Sequence, residues 1–218
     1  MKAEYAQRPP LFSVVHLPSS RCEVLLRENI TEESKTVYDG PEARELTYYT
    51  ADEYCVTVSD RADIEQKIQS EFSEWIQTAK EKALSEAKAR KLAEVSAVCT
   101  NTIYGGVDIT IGGNIEHFSL TEKDQINISQ AMAVIKSGAA EFPYHSDGNI
   151  CRMFTAEEII ELGNAATAFV LYHTTMCNHL NMWIRRCESD TEVSAIYYGT
   201  QLPEDLAESF NGIIGAGV

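Results

Sequence analysis

The amino-acid sequence predicts an α+β protein that is mostly α-helical. Three observations lead to this prediction: strand-like alternation before residue 60, a long regular stripe of apolar residues after it, and two well-capped helical segments in the second half. We expect a small N-terminal β module, a long connecting helix, and a C-terminal helical domain with one or two short β-hairpins. The predicted boundaries give a β-rich partner-binding module (1–59), a long helix or linker (60–102) and an α-rich domain (103–218).

The composition is that of a globular protein with an acidic surface. A chain of 218 residues suits one medium domain or two small ones, and it buries enough surface to fold without a metal or disulfides. The net charge of −15 opposes binding to nucleic acids and to anionic lipid surfaces. We find no apolar run that approaches a membrane span or a secretory signal. Six cysteines without C-x-x-C spacing indicate reduced thiols in a cytosolic product.

Short alternating segments predict the N-terminal module. Residues 1–20 form an extended arm because their three prolines exclude a helix, and residues 21–29 alternate as a strand. A turn follows at Asp39-Gly40-Pro41. The Tyr, Thr and Val residues beyond it predict two further strands, which are joined at Ala51-Asp52 and cover residues 44–50 and 53–59.

From Ser59 or Asp60 the pattern becomes that of one long helix. Its apolar residues recur at steps of three and four: Ile64, Ile68, Phe72, Trp75, Ile76, Ala79, Ala83, Leu84, Ala87, Leu92 and Val95. A helix of about 38 residues would be about 57 Å long, which exceeds a globular core. We therefore expect it either to break or to bridge two modules, and the regular stripe also leaves coiled-coil self-association open.

Two hairpin signals are found in the second half of the chain. Residues 107–118 alternate around a turn at Gly112-Gly113-Asn114, which is the clearest hairpin in the sequence. A second turn at Asp147-Gly148-Asn149 predicts a two-stranded ribbon, since the flanking segments are too short for more.

Capping boxes predict where the helices of the second half begin. Thr121 with Asp124 opens a helix over 122–137, and Thr155 with Glu158 opens a longer one over 156–187. A last short helix is expected near 203–213.

The segment YHTTMCNHLNMWIRRC, residues 172–187, contains candidate zinc ligands. His173 and Cys177 lie one helical turn apart, and Cys151 or His145 from the preceding ribbon would add further ligands. The alternative is a buried neutral His beside a Cys that acts as a small hydrophobic residue. We favour this alternative, because zinc needs ligands that converge from separate elements, and we predict no metal or cofactor.

The sequence also offers two weak candidates for catalysis. His145, Ser146 and Asp147 are adjacent, but a triad needs convergence in space and an oxyanion hole, and no G-x-S-x-G motif is present. A turn explains this segment better. The carboxylate pairs Glu32-Glu33 and Glu157-Glu158 are expected at exposed turns or helix starts. We therefore predict no catalytic residues and no enzyme.

Six residues are the candidates for partner binding. Tyr48, Tyr49 and Tyr54 form either an aromatic contact face or part of a core. Trp75, in a helical stripe, either packs in a core or anchors an interface, where Trp is favoured. Arg185 and Arg186 either bind acidic partners or stabilise the end of their helix through its dipole.

Several motifs together resemble one known family. They are KARKLAEVSAVCTNTIYGGVDIT, EHFSLTEKDQINI, PYHSDGNICRMFTAEEI, YHTTMCNHLNMWIRR and the closing IYYGTQLPEDLAESF. In this order they resemble a C-terminal domain of unknown function from tail gene clusters of temperate phages and prophages of Gram-positive gut bacteria. The resemblance covers about residues 60–213. No catalytic residue is carried over by it.

This resemblance implies a structural component of a bacteriophage tail or a phage-tail-like particle, in the baseplate or fibre region. Its expected partners are other tail, baseplate or fibre proteins and further copies of itself, with no nucleic acid and no membrane. Its expected location is the virion tail, after synthesis in the host cytoplasm. The alternatives are a fibre-assembly chaperone that is not retained in the particle and, as a third class, a metal-dependent or wall-degrading enzyme.

Overall fold

The computed structural model describes residues 2–39 and 42–216. The chain divides into two compact units, Met1–Glu86 and Ala87–Val218, and each is described by itself. Helices make up 50% of the chain and strands 30%, with a large four-stranded sheet at the N-terminus. The prediction of a mostly α protein with a small β module is therefore wrong, and the fold is mixed α+β.

The N-terminal unit is built on an antiparallel sheet with the strand order β1-β4-β3-β2. Its strands are β1 (Lys2–Tyr5), β2 (Phe12–Leu17), β3 (Arg21–Asp39) and β4 (Glu42–Ser59). β1 and β2 confirm the extended conformation predicted for residues 1–20, but they form the two edges of the sheet and not a separate arm. The prolines fall between the strands, where a missing N–H costs no ladder hydrogen bond.

One continuous strand, β4, replaces the two strands that were predicted to join at Ala51-Asp52. β1 pairs with β4 at this point, with Ala3 opposite Ala51 and Lys2 opposite Asp52. This long-range pairing outweighs the local turn tendency of Asp52. Of the predicted turn Asp39-Gly40-Pro41, residues 40 and 41 lie outside the described residues.

The predicted long helix is broken near its start. α1 (Ile64–Ser70) ends before its C-cap residue Glu71, and α2 (Phe72–Gly105) then continues across the boundary between the two units. In the N-terminal unit, one face of the sheet packs on α1 and the first turns of α2. The buried residues of this core are Cys22, Val24, Leu26, Val56, Ile64, Ile68, Ile76 and Ala79.

The C-terminal unit consists of two hairpins and four helices that follow the end of α2. Its elements are β5 (Val107–Ile111), β6 (Asn114–Phe118), α3 (Glu122–Lys136), β7 (Glu141–Tyr144), β8 (Arg152–Thr155), α4 (Ala156–Arg186), α5 (Asp190–Ser194) and α6 (Glu204–Ala216). The two predicted capping boxes are present, and a third, Ser189 with Glu192, opens α5. Both predicted turns are found between the paired strands β5–β6 and β7–β8.

A buried cluster centred on α4 holds this unit together. Ile159, Leu162 and Ala166 of α4 pack with Phe118 of β6 and Phe154 of β8. The rings of Phe118 and Phe154 meet edge to face with their centroids 6.3 Å apart. The two hairpins therefore depend on α4 for their buried side.

Gly106 joins α2 to this cluster in a way that no other residue allows. Its φ angle is +84°, in the region that favours glycine. A Cβ atom there would lie 2.1 Å from the carbonyl oxygen of Phe118 and 2.7 Å from the Cα of Ser119, so the clash is with backbone. The preceding Gly105 has open space around it.

We expect Gly106→Ala to lower the free energy of unfolding of the C-terminal unit by about 2 kcal/mol or more, because strain and a backbone clash act together. The matched control Gly105→Ala should leave it unchanged or raise it by up to about 1 kcal/mol, since it only adds helix propensity. Urea denaturation followed by Trp183 fluorescence in a Trp75→Phe background measures both. Equal losses in the two variants would contradict this account.

Candidate partner-binding surfaces

The three candidate tyrosines lie on β4 but not on one face. Tyr48 and Tyr54 are an even number of residues apart and share the side that faces α1 and α2, whereas Tyr49 points to the opposite side. The hydroxyl of Tyr48 donates to Glu33 at 2.9 Å and that of Tyr49 to Glu32 at 2.8 Å. These hydrogen bonds to carboxylates raise the pKa of both tyrosines. The tyrosines therefore act first as cross-strand contacts within the sheet.

Beyond these tyrosines, β3 and β4 continue as a two-stranded ribbon. We call residues 31–39 and 42–48 the distal ribbon. Within the described part of the chain, no strand pairs with its outer edges, because β1 stops at Tyr49 and β2 covers only Arg21 to Leu26. Tyr38 is 74% exposed and Leu46 is 46% exposed. Two-stranded ribbons with exposed apolar side chains are marginal alone and offer backbone groups to another chain.

Polar contacts reinforce the root of the distal ribbon. Glu33 accepts hydrogen bonds from Thr50, at 2.9 Å, and from Tyr48, and these two contacts lower its pKa. Lys35 lies 4.6 Å from the centre of the Tyr48 ring and 3.5 Å from Glu4 of β1. Side-chain contacts near its root therefore stabilise the register of the ribbon, whereas Tyr38 and Leu46 farther along it are exposed.

A buried arginine, which the sequence reasoning missed, ties the sheet together on the side away from the helices. Arg27 is only 5% exposed. Its Nε donates to Glu53 at 2.7 Å and to the Tyr5 hydroxyl at 2.8 Å, and its terminal nitrogens donate to Ser13 and to the Pro10 carbonyl. It thus links β1, β2 and β4 with the segment between β1 and β2.

Replacing Arg27 with Met should lower the free energy of unfolding of the N-terminal unit by about 3 kcal/mol, because Glu53 then loses its buried cation. Arg21→Met, an exposed position on the same strand, should change it by no more than about 0.5 kcal/mol. Trp75 is in this unit and Trp183 in the other, so fluorescence in a Trp183→Phe background reports the N-terminal unit alone. Similar values for both variants would rule out the proposed role of Arg27.

Trp75 lies at the entrance of a groove between β4 and the helices. The groove has a volume of about 410 Å³ and is lined by Val56, Thr57 and Val58 of β4 and by α1 and α2 residues around Trp75. Trp75 is half-buried and packs at the rim of the N-terminal core. Trp75 therefore fits both of its predicted roles: it packs against the core, and it also lines a groove that a partner could enter.

The two candidate arginines lie at the exposed end of α4. Arg186 pairs with Asp205 of α6, and this hydrogen bond lowers the pKa of Asp205. The carbonyl of Arg185 accepts a hydrogen bond from Lys88 at 3.0 Å. Arg186 is therefore engaged within the C-terminal unit, and the exposed Arg185 side chain is the better candidate for an acidic partner.

The structure does not bring the zinc candidates together. His173 meets the Tyr198 hydroxyl at 2.8 Å, and its pKa is lowered by burial. Cys177 interacts with Asn181, Cys151 is exposed, and His145 contacts the Ser146 carbonyl. Among the described residues, no group of three His, Cys, Asp or Glu side chains is arranged to hold a metal ion.

His145, Ser146 and Asp147 each contact a different neighbour. The fully buried Ser146 donates to Glu116 at 2.6 Å, while Asp147 accepts from the backbone N–H and the hydroxyl of Ser119. These contacts fasten the β7–β8 loop to the β5–β6 hairpin. The segment therefore does not form a triad.

Arg152 adds a further link between the two hairpins and the start of α4. It donates to Glu116 at 3.0 Å and pairs with Glu158 at 3.2 Å, and its guanidinium lies 3.6 Å from the centre of the Phe154 ring. Glu158 also closes the capping box of α4. Glu158, one of the carboxylate pair Glu157-Glu158, therefore has a structural role, because it binds Arg152 and caps α4.

His117 links the hairpin to the end of α2 through both ring nitrogens. Nδ1 lies 2.7 Å from Asp108, and Nε2 lies 2.8 Å from the Gly105 carbonyl. A ring that donates to two acceptors must be protonated. The hydrogen bond to Asp108 is the main reason that the pKa of His117 is raised.

We expect His117 to stabilise the C-terminal unit more at low pH than at high pH. Because its pKa is raised by folding, its contribution is complete below the unfolded value of about 6.5 and is lost as the pH rises through the folded-state value. The difference in urea midpoint between wild type and His117→Gln should therefore shrink between about pH 6 and about pH 8. A difference in midpoint that stays constant over this interval would be inconsistent with a protonated His117 that links the hairpin to α2.

Comparison with known proteins gives one match. The family described as Domain of unknown function (DUF4376) matches residues 86–197, just over half of the chain. The chain belongs to the DUF4376 family. No curated protein and no solved structure matches it. None of the helices in the described part of the chain is both long and apolar enough to cross a membrane.

The DUF4376 region begins where the C-terminal unit begins, at residues 86 and 87, and ends before α6. It contains the contacts of Gly106, Ser146 and Arg152, which all fasten one element to another. The N-terminal sheet, with the distal ribbon, Arg27 and the Trp75 groove, lies outside the DUF4376 match.

Proposed function

We propose that this protein is a structural component of a bacteriophage tail or phage-tail-like particle, in the baseplate or fibre region, and that it acts by protein–protein assembly without catalysis. The observation that carries the proposal is the distal ribbon. A strand pair that leaves two edges and the side chains of Tyr38 and Leu46 uncovered suits a contact with another chain.

The chemistry of the candidate clusters supports a binding role. Ser146, Asp147 and His173, which a catalytic or metal site would use, have partners inside the C-terminal unit. They hold elements in place there. A role for the N-terminal sheet in assembly and for the DUF4376 region as the folded support is consistent with this division.

The assignment to a phage tail rests on the sequence motifs that resemble the tail-cluster family. Most of them lie within the DUF4376 match, at residues 86–197. Other tail, baseplate or fibre proteins are the proposed partners, and the virion tail is the proposed location.

Particles purified from an induced lysogen test this function. Quantitative mass spectrometry should find the protein at a fixed ratio to known tail proteins, with host cytosolic proteins as the control for carry-over. Its absence from particles would overturn the proposal in favour of an assembly chaperone. A wall-degrading activity or stoichiometric zinc in the pure protein would overturn it in favour of an enzyme.

A ribbon variant tests the surface itself. Replacing residues 35–46 with Asn-Gly shortens the distal ribbon at the Ser34–Thr47 pair with a favourable turn. The variant should unfold like wild type, because it leaves the buried core intact, but should fall at least about tenfold in particle occupancy, a loss of about 1.4 kcal/mol of binding free energy. Unchanged occupancy would exclude the ribbon as the assembly surface.

A further inference from the structure

We infer that Cys99 of α2 and Cys177 of α4 form a redox-active thiol pair, which a hydroperoxide oxidises to a disulfide bond inside the folded C-terminal unit. The inference goes beyond the proposed function and does not rest on it. It assigns a modification site within the DUF4376 match, where both cysteines lie.

The Cys99 thiol lies against the helical turn that carries Cys177. Cys99 is 6% exposed, and its Sγ atom donates to the His173 carbonyl at 3.4 Å. In an α-helix such a carbonyl also accepts from the backbone N–H four residues later, which here is the N–H of Cys177. Both cysteines pack in one buried cluster, and their thiols hydrogen bond to each other. The pair is therefore already assembled where α2 meets α4.

The two thiols differ in their access to an oxidant. Cys177 is half-buried, whereas Cys99 is buried, and burial is the main reason that the pKa of Cys99 is raised. An oxidant in solution reaches Cys177 more easily, and a raised pKa leaves less of Cys99 as the reactive thiolate. Cys177 is therefore the thiol that reacts first.

An amide group next to Cys177 favours its ionised form. Asn181 Nδ2 donates to Cys177 Sγ at 3.7 Å, and a donor in this position stabilises a thiolate more than a thiol. The Asn181 Oδ1 atom is buried and has no hydrogen-bond partner in the described part of the chain. The amide therefore faces the sulfur although its own oxygen stays unpaired, which is an uncommon arrangement in a folded protein.

The reaction transfers two electrons from the thiols to the hydroperoxide in two steps. The Cys177 thiolate attacks one peroxide oxygen, the O–O bond breaks, and a sulfenic acid forms while the leaving oxygen takes up a proton. The Cys99 sulfur then attacks the Cys177 sulfur, the S–O bond breaks, and the released hydroxide takes the Cys99 proton to become water. With hydrogen peroxide, two thiols and one peroxide molecule give one disulfide and two water molecules.

Hydrogen peroxide is the probe in the first test. Full-length protein with Cys55→Ser and Cys151→Ser, which lacks the two exposed thiols, is oxidised under native conditions, alkylated and digested without reductant. Mass spectrometry should find the Cys99 peptide joined to the Cys177 peptide. If Cys177 is instead oxidised to the sulfinic acid while Cys99 stays a free thiol, the inference is wrong.

Two buried thiols elsewhere in the chain are internal controls in the same sample. Cys22 lies in the N-terminal core, and Cys187 donates to the Trp183 carbonyl at 3.4 Å. Burial is the main reason that the pKa of each is raised. Because neither belongs to the cluster of the pair, both should be at least about fivefold less oxidised. Equal oxidation of all four thiols would contradict a selective pair.

Single replacements in the same background test the order of the two steps. Cys99→Ser should let the Cys177 sulfenic acid accumulate, so that dimedone labels it, because the thiol that resolves it is gone. Cys177→Ser should leave Cys99 at least about fivefold less labelled, since Cys99 is buried and largely protonated. Equal labelling in the two variants would overturn the assigned order.

The stability of the oxidised protein provides a second measurement. A bond between residues 99 and 177 closes a long loop of the unfolded chain, so oxidation should raise the urea midpoint of the C-terminal unit by about 1 M or more. Trp183 fluorescence in a Trp75→Phe background follows this unit, and dithiothreitol should restore the original midpoint. A midpoint that falls on oxidation would show that the folded helices do not accommodate the bond, and would refute the inference.

Discussion

The register between β3 and β4 determines what every residue of the N-terminal sheet faces. The two strands pair from Arg21 with Ser59 to Asp39 with Glu42, interrupted by one irregularity between Glu28 and Thr31. A slip by one residue would turn Cys22, Val24 and Leu26 away from α1 and α2 and would place Arg27 in the apolar core. The contacts of Arg27 on the opposite side therefore act with the hydrophobic core, because both are satisfied in one register only.

In the DUF4376 region, residues that resemble catalytic or metal-binding clusters serve to fix elements relative to one another. Ser146 joins the β7–β8 loop to β6, Arg152 joins β8 to β6 and to the start of α4, and His117 joins β6 to the end of α2. Small hairpins have too few strands to be stable alone. The polar contacts with neighbouring elements and the packing against the apolar face of α4 therefore supply the stability that these short strand pairs lack.

Local signals in the sequence were sufficient for part of the fold. The capping boxes at Thr121 and Thr155 and the turn at Gly112-Gly113, where both glycines have positive φ angles, act within a few residues of chain. The distal ribbon was missed because both of its faces are largely solvent-exposed, so that residues 31–36 show no apolar alternation. The strand that continues through Ala51-Asp52 depends on β1, which lies about fifty residues earlier, and no local pattern reports such a partner.

The same limit applies to the candidate site residues. His179, in the polar-rich segment 172–187, is buried against Ser209 and Phe210 of α6, and this contact follows from tertiary packing that helical spacing does not predict. Arg27 lies in a strand with alternating side chains, and this alternation predicts only that Arg27 and Leu26 point to opposite faces of the sheet. Its burial follows from the segment between β1 and β2, which supplies the Pro10 carbonyl, and from Ser13 of β2.

The distal ribbon carries exposed charges beside its exposed apolar side chains, and this combination bears on which partners it can bind. Arg44 and Glu45 lie next to Leu46 on β4, and all three are exposed. Exposed charges on an edge strand oppose pairing with any strand that the edge happens to meet. A partner of this ribbon must therefore match its charges as well as its strand direction, so the same residues that limit unselective pairing favour a specific contact.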